Sequence, residues 1–449
     1  MEGKQPTYTH NRFGRDTCTH TIDIHCRIGK LPWVNRKVRP EIRLVFKRSM
    51  PAKCFGRVKT MANKETMTSR QRVLKALNHE VPDRVPIDLG GFQTGIHKRA
   101  YTQLLSHLGL SEEIAILDPV QQLAKPSEEV LERFRVDIRY ICAHGPDDFK
   151  GGIEQNTRNG KLWHDLKDEF GVVWSMPDEQ QLYMDISHHP LAGASVKDIE
   201  DYPFPDGSDL SRFTGVREAA LKMRSDTPYA ISTGIGGVVY EYCWYMRGLE
   251  RWLMDTIENP AFCEALLDKT LKFWMDYHTG FLGEVGDIVD VVMIGDDLAG
   301  QSGPLFSPDF YRKIVKPRQK KLVQHIKSLT KAKIWYHTCG ACFEYIPELI
   351  DNGIDILNPV QIGLVNMEPQ KLKDMFGSQI SLWGGGIDAQ HVLAFAKADQ
   401  IREHVRKNLG IFKQGGGYVF NSVHNIQLGV PPENIVALFD AAYEFGFYN

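Results

Sequence analysis

The sequence predicts an α/β chain folded as a (β/α)8 TIM barrel, with an inserted lid-like segment and a basic N-terminal extension. Three observations predict it. From about residue 228 the chain repeats one theme, a short apolar strand ending in polar residues or glycine and followed by a longer amphipathic stretch. Those helical stretches are too long for a small open sheet, which favours closure into a barrel. No Gly-rich nucleotide fingerprint opens the first unit, as a doubly wound fold would require.

Taken in order, residues 1–60 hold 14 Lys and Arg against 4 Asp and Glu, leaving 40 against 52 for the rest, so the formal net charge of −2 averages two unlike pieces. The opening segment shows no helical or alternating period and reads as a disordered, basic extension. Its Cys18, His20, His25 and Cys26 have the residue types for zinc, but their spacing fits no standard module. Order is expected from Thr68, which has capping-box spacing to Gln71, with Val73, Leu74 and Leu77 as the apolar face of the following helix. Met61 and Met67 lie just before it and join Met1 as candidate starts, and residues 61–449 are expected to form one barrel domain. Residues 84–89 read as the first strand. Six more strands fall at 229–232, 289–294, 333–336, 355–357, 380–383 and 417–420, with helical patterns such as 308–329 and 398–409 between them. The segment from about 145 to 226 breaks this rhythm with Trp163, Trp174, Pro203 and Pro205, and reads as an insertion or lid over one barrel end.

Composition narrows the function classes. The acidic surplus after residue 60 argues against nucleic acid as a partner. No apolar run of about 18 residues could span a bilayer. The eight cysteines are thinly spread and no signal peptide opens the chain, so a reducing cytoplasm is the expected location.

In a barrel of this kind the chemistry sits on the loops after the strands. Those positions carry Gly234, Gly236 and Gly237; Asp296 and Asp297; His337, Cys339 and Cys342; Asn358 and Gln361; Gly384 to Gly386 with Asp388; and Asn421, His424 and Asn425. His337 and Cys339 are two apart at a strand end, so a period of two points both side chains the same way, and His424, past the last strand, is the best-placed third ligand. Two imidazoles and a thiolate leave a fourth position open, as in a catalytic zinc site. The alternatives are an ordinary buried thiol with hydrogen-bonded core histidines, or a redox dithiol formed by Cys339 and Cys342. Asp296 and Asp297 are candidates for acid/base work, metal ligation, orienting an imidazole, or helix capping. Gly236, Gln361, Gly385, Asp388 and Asn421 are the candidate substrate-binding residues. Tyr240, Trp244 and Tyr245 could line the barrel mouth or fill a helix core.

Five segments together carry a family resemblance over roughly residues 67–449: "TSRQRVLKALNHEVPDRVPIDLGG", "GDDLAGQSGPLFSPDFYRKIVKPRQKKLVQHI", "HTCG", "WGGGID" and "VFNSVHNIQLGVPPENI". On these the chain resembles the uroporphyrinogen decarboxylase-like superfamily of (β/α)8 barrels. The resemblance implies one of two activities. One branch decarboxylates porphyrinogen acetate groups without a metal. The other contains zinc-dependent methyltransferases that move a methyl group between a small-molecule donor or acceptor and a corrinoid carried on a partner protein. The decarboxylase pattern has an early arginine cluster in a phrase resembling "MRQAGR", whereas here the first strand runs into "IDLGGFQTGIHKRAY" without one. The methyltransferase pattern resembles H-x-C followed much later by Cys. His337 and Cys339 match its first two ligands, and His424 stands at the third. The expectation is therefore a zinc- and corrinoid-linked methyltransferase, with a decarboxylase of porphyrinogens or another polycarboxylate as the second reading. A barrel that binds a corrinoid or tetrapyrrole without turning it over is the third.

Overall fold

The computed structural model describes residues 65–149 and 151–448; the expected basic extension, its Cys18, His20, His25 and Cys26, and Met61 lie outside the described residues. The first helix, α1 (Ser69–Leu77), starts as anticipated. The Thr68 side chain accepts from the Gln71 N–H, and the Gln71 side chain accepts from the Thr68 N–H. Val73 and Leu77 are buried, while Leu74 is half-buried and Ala76 completes the inner face.

Seven strands follow in one parallel sheet: β1 (Ile138–Ile141), β2 (Ala230–Ile235), β3 (Val291–Gly295), β4 (Lys333–His337), β5 (Ile356–Asn358), β6 (Ser381–Trp383) and β7 (Tyr418–Val419). Each pairs with its neighbours in chain order. The sheet curls, and the anticipated strand at 84–89 lies between its two edges. Ile87 bridges Phe420 in parallel, the Phe420 N–H donates to Pro86 O (2.8 Å), and the Asp137 N–H donates to Ile87 O (2.8 Å). This is a TIM-barrel-like α/β fold.

Two cores result, as expected when a sheet is apolar on both faces. Between sheet and helices lies the larger one, which includes much of the long helix Pro260–Val285. Inside the curl lies a second, made of Ile138, Ala230, Val291, Met293, Trp335, Ile356, Trp383 and Val419 with Val73 and Leu77 of α1. Helix α1 thus plugs the N-terminal end of the barrel. The strand period of two carries the inward direction onward from Trp335 to His337 and from Ile356 to Asn358.

The segment expected as an insertion divides in two. Its first part is a four-stranded antiparallel sheet of Ile153–Arg158, Lys161–Lys167, Val173–Pro177 and Asp185–His188, paired in that order. This sheet lies against the barrel's C-terminal end, where Trp174 meets the Tyr245 ring (centroids 5.0 Å apart) and the Tyr183 hydroxyl accepts from Gln427 (2.8 Å). Its last part, the helix Val216–Asp226, is an ordinary connection leading into β2. Among the described residues no helix is long and apolar enough to cross a membrane.

Candidate functional site

The strand ends bring three of the anticipated residues together. Ligand atoms of His337, Cys339 and His424 all lie within 4.8 Å of one another. The His337 Nε2 to Cys339 Sγ distance is 3.3 Å, close to the roughly 3.5 Å that two ligands keep around a tetrahedral zinc. The His337 and His424 rings are 5.3 Å apart, inclined at 70°.

Local sequence explains how each arrives there. His337 is the last residue of β4 and pairs in register with Asn358 at the end of β5. The Asn358 Nδ2 donates to Trp383 O (3.1 Å), which leaves its Oδ1 to accept from His337 Nδ1 (2.8 Å). The ring proton is therefore on Nδ1 and the Nε2 lone pair faces Cys339, the usual way of aiming a metal-binding imidazole. Gly295 beside His337 makes the room: a Cβ there would lie 2.7 Å from the His337 Cβ. Gly340 follows Cys339 at φ +90°, where a Cβ would come within 2.3 Å of Ala299 O, so the turn after the cysteine requires glycine. On the His424 side, the Asn425 N–H donates to Nδ1 (2.7 Å) and the Ser422 hydroxyl to the His424 carbonyl (2.5 Å).

Burial sets the electrostatics. It pushes His337 down to about 4 and His424 down to about 3, the latter helped by His337 itself, so both rings are neutral near pH 7. The Cys339 thiol is pushed well above its ordinary value by burial and then by the Asp297 carboxylate. Two neutral imidazoles and a thiol that needs a nearby cation to ionise are a donor set that fits a divalent metal. Cys342 is fully buried, its thiol pushed up to about 12 by burial, which is the reverse of the exposed, low-pKa thiol a redox dithiol needs.

The neighbouring aspartates diverge. Asp296 is buried and turned to structure: its Oδ1 accepts the N–H groups of Tyr240 (2.7 Å) and Glu241 (2.9 Å), at the start of the helix α2 (Glu241–Arg247), and its Oδ2 accepts from Gln319 (2.9 Å). It anchors the start of α2 from another element and is not that helix's N-cap residue, which is Tyr240. Asp297 faces the cluster. Its Oδ1 accepts the Cys339 N–H (2.7 Å) and lies 3.9 Å from His337 Nε2, with the side chain about one-third exposed. Behind it stands Glu241, which the sequence reading missed. The Tyr245 hydroxyl donates to Glu241 Oε1, the Asp297 N–H approaches Oε2 (3.4 Å), and burial beside Asp297 drives the Glu241 carboxyl well up.

Of the candidate substrate residues, Gln361 accepts the Gly340 N–H (2.7 Å) and so holds the turn after Cys339. Asn421 donates to Asp88 O (3.0 Å), and Asp388 accepts the N–H groups of Gln390 and His391 in its own turn. Gly385, at φ +71°, approaches Val360 so closely that a Cβ would lie 2.8 Å from its carbonyl oxygen. Gly236 is buried, where a Cβ would lie 3.3 Å from the Tyr277 ring and 3.4 Å from that of Trp274. Tyr240 is fully buried against Phe306 and Trp252 and belongs to the helix core, while Tyr245 reaches the site through Glu241. Also missed was Asp88, buried inside the barrel, where Tyr140 (2.8 Å) and Trp383 (3.0 Å) donate to it and burial raises it to about 6.

A cavity of about 320 Å³ opens between the barrel mouth and the antiparallel sheet, walled by Phe92, Phe170, Trp174, Tyr242, Trp274 and Tyr277 among others. It does not include the three clustered ligands but shares two walls with them. The Phe92 carbonyl accepts from Asn425, next to His424, and Tyr242 follows Glu241, which meets Asp297. The cavity thus lies beside the cluster.

Comparison with known proteins agrees with this architecture. A family model described as "Uroporphyrinogen decarboxylase (URO-D)" matches residues 170–445, more than half of the chain. A uroporphyrinogen decarboxylase from Ruthia magnifica subsp. Calyptogena magnifica is 30% identical over 191 residues, 42% of this chain and about half (51%) of the relative's own length. Another, from Alkalilimnicola ehrlichii, is 21% identical over 402 residues, covering 84% of this chain and 95% of the relative. Among solved structures, a methyltransferase from Methanosarcina mazei superposes with a TM-score of 0.56 at 21% identity, covering 84% of this chain and 99% of that one. At that identity the likeness is one of fold.

Proposed function

The chain belongs to the uroporphyrinogen decarboxylase (URO-D) family, and within it we propose a zinc-dependent methyltransferase that moves a methyl group between a small molecule and a corrinoid carried on a partner protein. The observation that carries the reading is the convergence of His337, Cys339 and His424 within 4.8 Å at the strand ends. These three residues would hold the zinc. When bound, the metal supplies Lewis-acid polarisation and a lowered thiol or leaving-group pKa.

The remaining roles fall to the chain's own groups. Asn358 fixes the His337 tautomer and Gln361 holds the turn after Cys339. Asp297, partly exposed and 3.9 Å from His337, carries or receives the proton that a thiol or alcohol exchanges at the mouth. Burial raises the proton affinity of Asp297, and burial together with Asp297 raises that of Glu241 behind it, where Tyr245 donates to the Glu241 carboxyl. The antiparallel sheet acts as a lid that keeps water from this centre.

The second reading, decarboxylation of a porphyrinogen or another polycarboxylate, is favoured by the names of the curated relatives. Such a substrate needs free cations. Of the Lys and Arg side chains in the cavity wall, Arg212 is engaged through both terminal nitrogens by Glu169, which leaves Lys167 alone to meet several substrate carboxylates and speaks for methyl transfer.

The test is an assay of the purified full chain with methylcobalamin and a thiol such as 2-mercaptoethanol. Methyl thioether formation that a chelator abolishes and zinc restores is the expected result. Metal-independent release of carbon dioxide from uroporphyrinogen, with no methyl transfer, would overturn the reading in favour of the second.

A further inference from the structure

The cavity beside the cluster has a chemistry of its own. Its wall carries the aromatic rings of Phe92, Phe170, Trp174, Tyr242, Trp274 and Tyr277 together with the carboxylates of Asp118 and Asp168. Both tryptophan N–H groups are already used: Trp174 Nε1 donates to Asp168 Oδ2 (3.1 Å) and Trp274 Nε1 to Val238 O (2.8 Å). What they offer the cavity is ring surface.

The carboxylates are occupied as acceptors. Asp168 Oδ1 accepts the N–H groups of Phe170 and Val172, both at 3.0 Å. Asp118 accepts the N–H groups of Val120 (2.8 Å) and Gln121 (3.2 Å) and the Gln121 amide (2.6 Å). Neither pairs with a cation among the described residues, whereas Glu169 nearby is neutralised by Arg212. Burial raises both Asp118 and Asp168, the latter to about 6, as expected of buried anions that lack a counter-charge.

An anion would face three carboxylates, Asp118, Asp168 and Glu169, against Lys167 and an Arg212 already paired with Glu169. A primary ammonium would find three of the roughly four lone-pair sites of Asp118 and of Asp168 already taken. A cation that needs no hydrogen bonds meets these aromatic side chains in the wall and carboxylates that outnumber the Lys and Arg there by three to two, an environment of the kind that recognises quaternary ammonium groups. We infer that this cavity binds a small quaternary ammonium compound of choline size. Its volume is at the lower end of the range for small-molecule sites.

That the cation serves as methyl donor rests on the methyl-transfer reading above, while its binding does not. Transfer from it breaks one N–C bond and leaves both electrons on nitrogen as a neutral tertiary amine. The new bond's electron pair comes from the acceptor, a cobalt(I) corrinoid on the partner protein.

The experiment is calorimetric titration of the full chain with choline and with 3,3-dimethylbutan-1-ol, its uncharged carbon isostere. Choline is expected to saturate at least about tenfold more tightly than the alcohol. Trp174→Ala should weaken choline by about tenfold, and Asp118→Asn, isosteric and checked for folding by circular dichroism, should narrow the gap between the two ligands. Choline binding should survive Cys339→Ala, which disables the metal cluster, so loss of methyl transfer and loss of cation binding are separable. Equal affinity for the alcohol, no saturable choline binding, or preference for an uncharged methoxybenzene would each overturn the inference.

Discussion

The two ends of the same barrel treat buried polar groups in opposite ways. At the N-terminal end, charges are buried in satisfied pairs. Arg72 and Arg84 each reach Asp137 at 2.7 Å, and Arg72 Nε also meets Asp83 at 2.7 Å, with these side chains at most 5% exposed. At the C-terminal end, His337 is buried and Cys339 and His424 half-buried, with no cation of the chain among them. The pKa values record the difference: the Arg72 guanidinium holds Asp83 down to about 2, while desolvation drives His337 to about 4 and, with the Asp297 carboxylate, raises the Cys339 thiol. The first end is closed on itself and stabilises the fold. On the proposed reading the second is completed by a metal ion, which is how stability and chemistry are divided along a barrel axis.

The largest effect that could break this contrast is catalytic. Cys339→Ala should lower methyl transfer by about a thousandfold or more, since the metal contributes several kcal/mol to the transition state. Thermal unfolding of the metal-free variant should match that of the metal-free parent; a large drop in Tm would mean that the cysteine is a structural core group. The mirror experiment is Asp137→Ala, which strands two buried guanidinium groups. It should cost about 3–5 kcal/mol in a urea titration, and a shift below about 1 kcal/mol would remove the distinction between the ends.

Acid should separate the ends in a single experiment. The two histidines have folded pKa values depressed below the unfolded 6.5, so the metal-free protein keeps its full stability above that value and loses it as pH falls toward about 4. Asp83 is depressed from 3.8 to about 2, so its contribution is present above the unfolded value and disappears below it. Urea midpoints across pH should therefore fall in two windows. His337→Gln should remove up to about 3 kcal/mol of the first and leave the second in place. A single acid transition below pH 4 would contradict the assignment. The smallest expected change is at Asn358: Asn358→Ala should lower zinc affinity by about 10–100-fold in a competition titration with a chelator, and an unchanged affinity would show that His337 needs no orienting partner.

How much of this was legible in sequence depends on range. Strands β2 to β7 were readable within three residues at either end because apolar runs ending in polar residues are a local signal. Strand β1 escaped because Arg139 and Tyr140 interrupt its apolar pattern. Arg139 points outward over the Tyr229 ring and pairs with Glu128, contacts that sequence proximity does not announce. The antiparallel sheet carried an unused signal: Asn159 and Gly160, both at positive φ (50° and 74°), form an Asn-Gly hairpin turn between its first two strands. In the site, His337 and Cys339 were legible from the period of two, and His424 from its place after the last strand. The divergence of Asp296 from Asp297, the Glu241–Tyr245 pair behind them and the orienting role of Asn358 were not. Each depends on register between strands or on a helix N-terminus packed across the barrel.

The claim on which the rest depends is that the three converging side chains at the C-terminal end bind one metal ion. Elemental analysis of the natively purified full chain, with zinc X-ray absorption on the same sample, tests it directly. One zinc per chain, coordinated by one sulfur and two imidazole nitrogens and lost in both Cys339→Ala and His424→Ala, is the predicted result. Purified protein that takes up no zinc on reconstitution, or zinc that both variants retain, would contradict it.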